Sequence, residues 1–105
     1  MKNNKTVIIT GGGTGIGKGI ALKLAKNNFN IILASRNISN LQKVKEECNK
    51  LNNHNVITVQ TDVTDSDSVS NLFEIVKDKF KKLDVLINNA GVFDGGPVDK
   101  LDIET

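Results

Sequence analysis

No tyrosine occurs anywhere in the 105 residues, and cysteine and histidine occur once each. The lone Cys48 excludes an internal disulfide. It falls at helical spacing with Leu41, Val44 and Leu51, where a thiol is a small core hydrophobe rather than a nucleophile. His54 stands in an asparagine-rich turn without a carboxylate, cysteine or second histidine at ligand spacing, so it reads as a solvated loop residue and no metal is expected. Long apolar runs are missing as well. After MKNNK comes only a short strand, far from a secretory h-region or a membrane span, so no membrane association is expected and the default compartment is the cytoplasm. Charge of one sign is scarce: 14 basic against 12 acidic residues leave +2, too little and too scattered to point to nucleic acid or a membrane surface. The abundant Asn and Lys residues read as compositional.

What is present alternates regularly. Val7, Ile8 and Ile9 form a β-branched run that stops at glycine, the mark of a strand buried on both faces. Ile16, Ile20, Ala21, Leu24 and Ala25 then recur at helical spacing until Asn27 and Asn28. Residues 30–35, NIILAS, read as a second buried strand, and Ser39 with Gln42 as a capping box opening a second helix. NVITVQT, residues 55–61, reads as a third strand. Thr64 and Asp67 suggest another capping box, before a third helix striped by Val69, Leu72, Phe73, Val76 and Phe80. LDVLIN, residues 83–88, is the fourth strand. The Lys77 to Lys82 cluster suits the negative end of the third helix. This β-α-β-α-β-α-β order with short connections implies one α/β domain, a parallel sheet with right-handed crossovers and helices on both faces.

Six glycines fall between Gly11 and Gly19, directly after the first strand. A bare turn between a buried parallel strand and a helix lets a phosphate rest on backbone N–H groups and the positive helix terminus. A tight turn alone would need one or two glycines. The fingerprint G-x-G-x-x-G fails, because its third glycine would be Ile16, Lys18 or Ile20 from the available starts. The P-loop pattern has Gly12, Gly17 and Lys18 in place, but Gly19 stands where a magnesium-binding hydroxyl belongs, which leaves a triphosphatase as a remote alternative with Asp62 as its acid. The spacing actually present, from Thr10 to Gly17, is T-G-x-x-x-G-x-G.

With that loop, the Asp62-Val63 pair and Asn88-Asn89-Ala90-Gly91 in register, the sequence resembles the short-chain dehydrogenase/reductase family along essentially its whole length. The resemblance implies a Rossmann-type doubly wound sheet of strand order 3-2-1-4, with residues 1–105 forming part of an NAD(P)-binding domain. It implies that Gly11 lets the turn leave the strand, Gly15 admits the pyrophosphate, and Gly17 lets the helix pack closely. Gly13, Thr14 and Ile16 would border the cofactor, Asp62 and Val63 would flank the adenine, and Asn89, Ala90 and Gly91 would lie along its adenosine side. Either Asn88 or Asn89 would tie the end of the fourth strand to its neighbours. TGGGTGIGKG with LASR is similar to the 2,4-dienoyl-CoA reductase branch, whereas NNAGVF is similar to carbonyl-reducing and alcohol-oxidising branches, so the substrate class stays open.

Cofactor choice falls at the end of the second strand, where an acid would accept from the ribose hydroxyls of NAD and an arginine would suit the 2′-phosphate of NADP. Ser35 and Arg36 stand there and no acid does, so NADP(H) is expected to be preferred over NAD(H). The family's catalytic Ser, Tyr and Lys have no counterpart, and the fourth strand would be an apolar edge. The expectation is therefore the truncated, cofactor-binding part of an oxidoreductase. The complete form would transfer hydride to or from a small carbonyl, alcohol or enoyl substrate as a homo-oligomer, and this chain alone would be inactive. A non-catalytic NADP(H)-binding regulatory module is the alternative.

Overall fold

The structure is a computed structural model that describes residues 5–11, 15–51 and 53–88. The elements alternate as β1 (Thr6–Thr10), α1 (Gly15–Ala25), β2 (Asn30–Ser35), α2 (Ile38–Lys50), β3 (Val56–Gln60), α3 (Ser66–Phe80) and β4 (Val85–Asn88). The sheet order is β3-β2-β1-β4 and all three pairings are parallel. This is the doubly wound Rossmann arrangement that the element order implies.

Alternation along each strand divides the core in two. Val7 and Ile9 of β1, Ile31 and Leu33 of β2 and Val56 of β3 pack toward Ala21 and Ala25 of α1 and toward Leu41, Val44 and Cys48 of α2. Ile8, Ile32, Ala34 and Val59 point the other way, onto Leu72 and Val76 of α3. With both faces covered, β1 is buried at every position, which is why it shows no polar alternation in sequence. On α1 the face against the sheet is Gly17, Ala21 and Ala25, small residues four apart that let the helix lie close. Ile16, expected to begin that apolar face, is instead 73% exposed, because the first turn lifts it off the sheet and Gly17 takes the inner position.

Both expected capping boxes are corrected by the structure. Helix α2 starts one residue before Ser39: Asn37 is its N-cap, accepting from the Asn40 N–H at 3.2 Å, while Ser39 donates its hydroxyl to Asn37 Oδ1. Gln42 does not close a box; its amide donates across to Thr58 Oγ1 of β3 at 3.1 Å. Helix α3 is capped by Asp65, which accepts from the Asp67 N–H at 3.0 Å, and Thr64 spends its hydroxyl on Asp62. Helix α1 ends at the expected asparagines. Asn28 adopts the left-handed conformation (φ 63°), and the Asn28 and Phe29 N–H groups return to Ala25 and Leu24 carbonyls, the Schellman pattern without a glycine.

Several asparagines do specific work, so the compositional reading is too weak. Asn53 is only 3% exposed; its amide donates to the Ala25 and Phe29 carbonyls at 3.2 and 2.8 Å, and its Oδ1 accepts from the Asn55 N–H. It joins the end of α1 to the approach to β3. Asn30 Nδ2 donates to Thr6 Oγ1, and Asp84 Oδ2 accepts the Thr6 N–H at 2.7 Å. The amino ends of the strands are thereby closed by side-chain hydrogen bonds.

Candidate functional site

At the carboxyl ends the strands open instead. Gly11 leaves β1 with φ 67°, a conformation a side chain would strain, and its N–H donates to the Ala34 carbonyl of β2 at 2.7 Å. Gly15 opens α1 with φ 48°, and a Cβ built there would meet nothing within 4 Å. Open space therefore adjoins the backbone at the helix N-terminus, whose first turn holds no acidic residue. Gly17 lies two positions further on, buried toward the sheet, and Ile16 between them projects outward. Gly13, Thr14, Asn89, Ala90 and Gly91 lie outside the described residues.

Across β2 and β3 the structure brings four of the sequence-derived candidates together. Ser35 and Arg36 form one wall and Asp62 and Val63 the other wall of a cleft of about 410 Å³, completed by Asn37, Thr61 and Thr64. The walls are held by main-chain and side-chain bonds. The Thr61 N–H donates to the Ser35 carbonyl at 2.8 Å, carrying the β2–β3 ladder one step beyond the strand. Ser35 Oγ accepts from the Asn37 N–H at 3.2 Å, which sets the turn around Arg36, and Gln60 Nε2 donates to the Arg36 carbonyl at 3.0 Å. On the opposite wall Ser68 Oγ accepts the Asp62 N–H at 2.9 Å. Asp62 Oδ1 accepts from both the hydroxyl and the N–H of Thr64, at 2.6 and 2.9 Å.

The Thr64 hydroxyl, then the Thr64 N–H, and finally the field of the Arg36 guanidinium hold the Asp62 carboxyl below the usual carboxylate range. The cleft thus offers a cation on one wall and an ionised acceptor on the other. That combination suits a ligand with an anionic group on one side and a donor edge on the other. Arg36 is the single arginine of the sequence, and the two ion pairs among the described residues, Lys18–Glu47 and Lys82–Asp84, lie elsewhere. At the end of β4, Thr10 Oγ1 donates to Asn88 Oδ1 at 2.8 Å, the tie expected of Asn88.

A larger hollow between α1 and α2 interleaves Lys26, Lys43 and Lys50 with Glu46 and Glu47, so it favours neither sign. Burial, with Glu47 adding its charge, pushes the Cys48 thiol pKa up and keeps it a core residue. Among the described residues no group of three or more His, Cys, Asp or Glu could hold a metal, and no helix is long and apolar enough to cross a membrane. Gln60 and Ser68 escaped the sequence reading. The signal for Gln60 is its register opposite Ser35, which becomes visible only once β2 and β3 are paired.

A glycine turn into a helix, beside a polar cleft at the carboxyl edge of a 3-2-1-4 sheet, defines the class as Rossmann-type α/β. Residues 5–105 match the family described as short chain dehydrogenase, and the chain belongs to that family. It is 37% identical over 103 residues to the NADPH-dependent reductase BacG of Bacillus subtilis, a match covering 95% of this chain and 38% of that protein. A hydroxysteroid dehydrogenase from Escherichia coli superposes with a TM-score of 0.81 at 34% identity, over 90% of this chain and 39% of that one. An NAD+-bound xylitol dehydrogenase superposes with a TM-score of 0.80 at 32% identity, over 86% and 34% respectively. The chain spans less than two-fifths of each of these proteins.

Proposed function

We propose that this chain supplies the adenosine half of a nicotinamide dinucleotide site in an oxidoreductase, and that the dinucleotide is NADP(H) in preference to NAD(H). The observation that carries the reading is Arg36 on the rim of the cleft opposite Asp62, with no carboxylate at the end of β2. Gly15 supports the fit, since the open space over its backbone at the start of α1 is where a pyrophosphate would rest. Gly11 and Gly17 would shape that turn, with Gly13, Thr14 and Ile16 beside the phosphates. Asp62 would accept from the adenine amine through the oxygen that Thr64 leaves unused, Val63 would lie against the ring, and Arg36 and Ser35 would meet the 2′-phosphate. Asn89, Ala90 and Gly91 would line the far side of the adenosine.

The bound dinucleotide would donate or accept the hydride. In the complete protein it would pass to or from a small carbonyl, alcohol or enoyl carbon, and the 105 residues alone would bind without turnover. A homo-oligomer in the cytoplasm is the setting this reading implies, and the single buried thiol suits a reducing compartment. Charge-assisted bonds from Arg36 worth about 1.5–3 kcal/mol correspond to roughly a ten- to hundredfold preference for NADP. Calorimetric titration with NADP+ and NAD+ tests this: tighter NADP+ binding that Arg36→Ala abolishes is expected, and equal affinities would overturn it.

A further inference from the structure

We infer that Gln60 is a specificity-determining positioning residue, which acts on the 2′-phosphate subsite by holding Arg36 in place from the neighbouring strand. The inference rests on the proposed role of Arg36.

Arg36 is exposed and sits between β2 and the N-cap of α2, outside any ladder that would fix its backbone. Two bonds hold the residue before it and one holds Arg36 itself. Ser35 is held through its carbonyl by Thr61 and through its hydroxyl by Asn37, while the Arg36 carbonyl itself is held by the Gln60 amide at 3.0 Å. Gln60 can reach because it pairs in register with Ser35, one residue short of Arg36, and Thr58 and Gln60 alternate away from the α3-facing Val59. Its side chain therefore lies on the α2 side of the sheet, beneath the loop that carries Arg36. The amide donates to the loop, and Gln60 is not among the residues that line the cleft. A long, exposed arginine is flexible, and each anchor on its backbone lessens the freedom lost when an anion is captured. Removing the anchor should weaken capture of a 2′-phosphate while leaving the adenine and 5′-phosphate contacts intact.

The test uses adenosine 2′,5′-bisphosphate and AMP as a pair that differs only in the 2′-phosphate. Both are titrated by calorimetry into the wild type, Gln60→Met, Arg36→Ala and the double variant, with a thermal melt of each protein. Gln60→Met keeps the length and removes the donor. It is expected to weaken the bisphosphate about two- to tenfold, the scale of one neutral hydrogen bond, with AMP unchanged and no further loss when added to Arg36→Ala. Equal weakening of both ligands, or additive losses in the double variant, would overturn the inference by showing that Gln60 supports the cleft generally. So would an unchanged bisphosphate affinity in Gln60→Met while Arg36→Ala still lowers it, an outcome that leaves the NADP reading intact. If the wild type itself does not prefer the bisphosphate and Arg36→Ala changes nothing, the NADP reading fails, and this inference with it.

Discussion

The two ends of the sheet use polar residues in opposite ways. At the amino ends, Asn53 and Thr6 are buried, and their bonds to Ala25, Phe29, Asn30 and Asp84 run between elements. At the carboxyl ends, Arg36 and Thr64 are exposed and Ser35 and Asp62 half-buried, their side-chain bonds stay mostly within one turn, and an open cleft separates the two walls. Closing one end with satisfied buried groups stabilises the fold, which allows the other end to keep charged and flexible groups facing solvent. Parallel α/β sheets place ligands at that second end because helix N-termini and strand-leaving loops converge there.

This contrast can be broken most severely at Asn53. Asn53→Ala takes the side-chain partner from the Phe29 carbonyl and the Asn55 N–H, leaves the Ala25 carbonyl with the Asn28 N–H alone, and should cost about 1–3 kcal/mol, measured by urea unfolding, with dinucleotide affinity of the folded protein unchanged. Loss of affinity without loss of stability would mean that the two ends are not separate. At the open end the expectation inverts. Arg36→Ala should remove most of the preference for NADP+ over NAD+ in calorimetry and shift the melting temperature little. Gly15→Ala should do some of both: its left-handed backbone makes a side chain cost about 1–2 kcal/mol, and the added methyl would occupy the open space over the helix start, so both Tm and NADP+ affinity should fall.

The smallest effect belongs to Asp62. Its folded carboxyl titrates below the unfolded value of about 3.9, so its bonds to Thr64 stabilise the fold above that pH and are lost as pH falls through the lower folded value. Melting curves of the wild type and Asp62→Ala should accordingly be separated at neutral pH and converge below about pH 4. Convergence on raising the pH instead would mean that the carboxyl is held protonated.

Much of this architecture was legible in the residues. Strand β2 has the bounds its apolar run indicates, and the stripes Leu41-Val44-Cys48 and Leu72-Val76 face the core as their spacing requires. The helix starts were not legible, because Asn37 and Ser39, or Thr64 and Asp65, are equally able to cap when read alone. Gln42 is drawn to Thr58 and Thr64 to Asp62 once the chain folds, and those partners decide which residue caps. Ile16 misled for a similar reason: helical periodicity gives a face, but the sheet decides where that face begins.

For the site, local sequence determined the chemistry and the order of its parts. The glycine spacing, the absence of an acid after β2, the single Arg36 and the Asp62-Val63 pair all lie in short contiguous stretches whose residue types limit what they can bind. Only the tertiary structure decided that Arg36 and Asp62 share one cleft, that Gln60 reaches under the loop of Arg36, and that Asn53 seals the opposite end. Each of those is a relation between segments on different strands or helices, and parallel pairing brings them together across crossovers of some twenty residues, a distance at which no local pattern carries information.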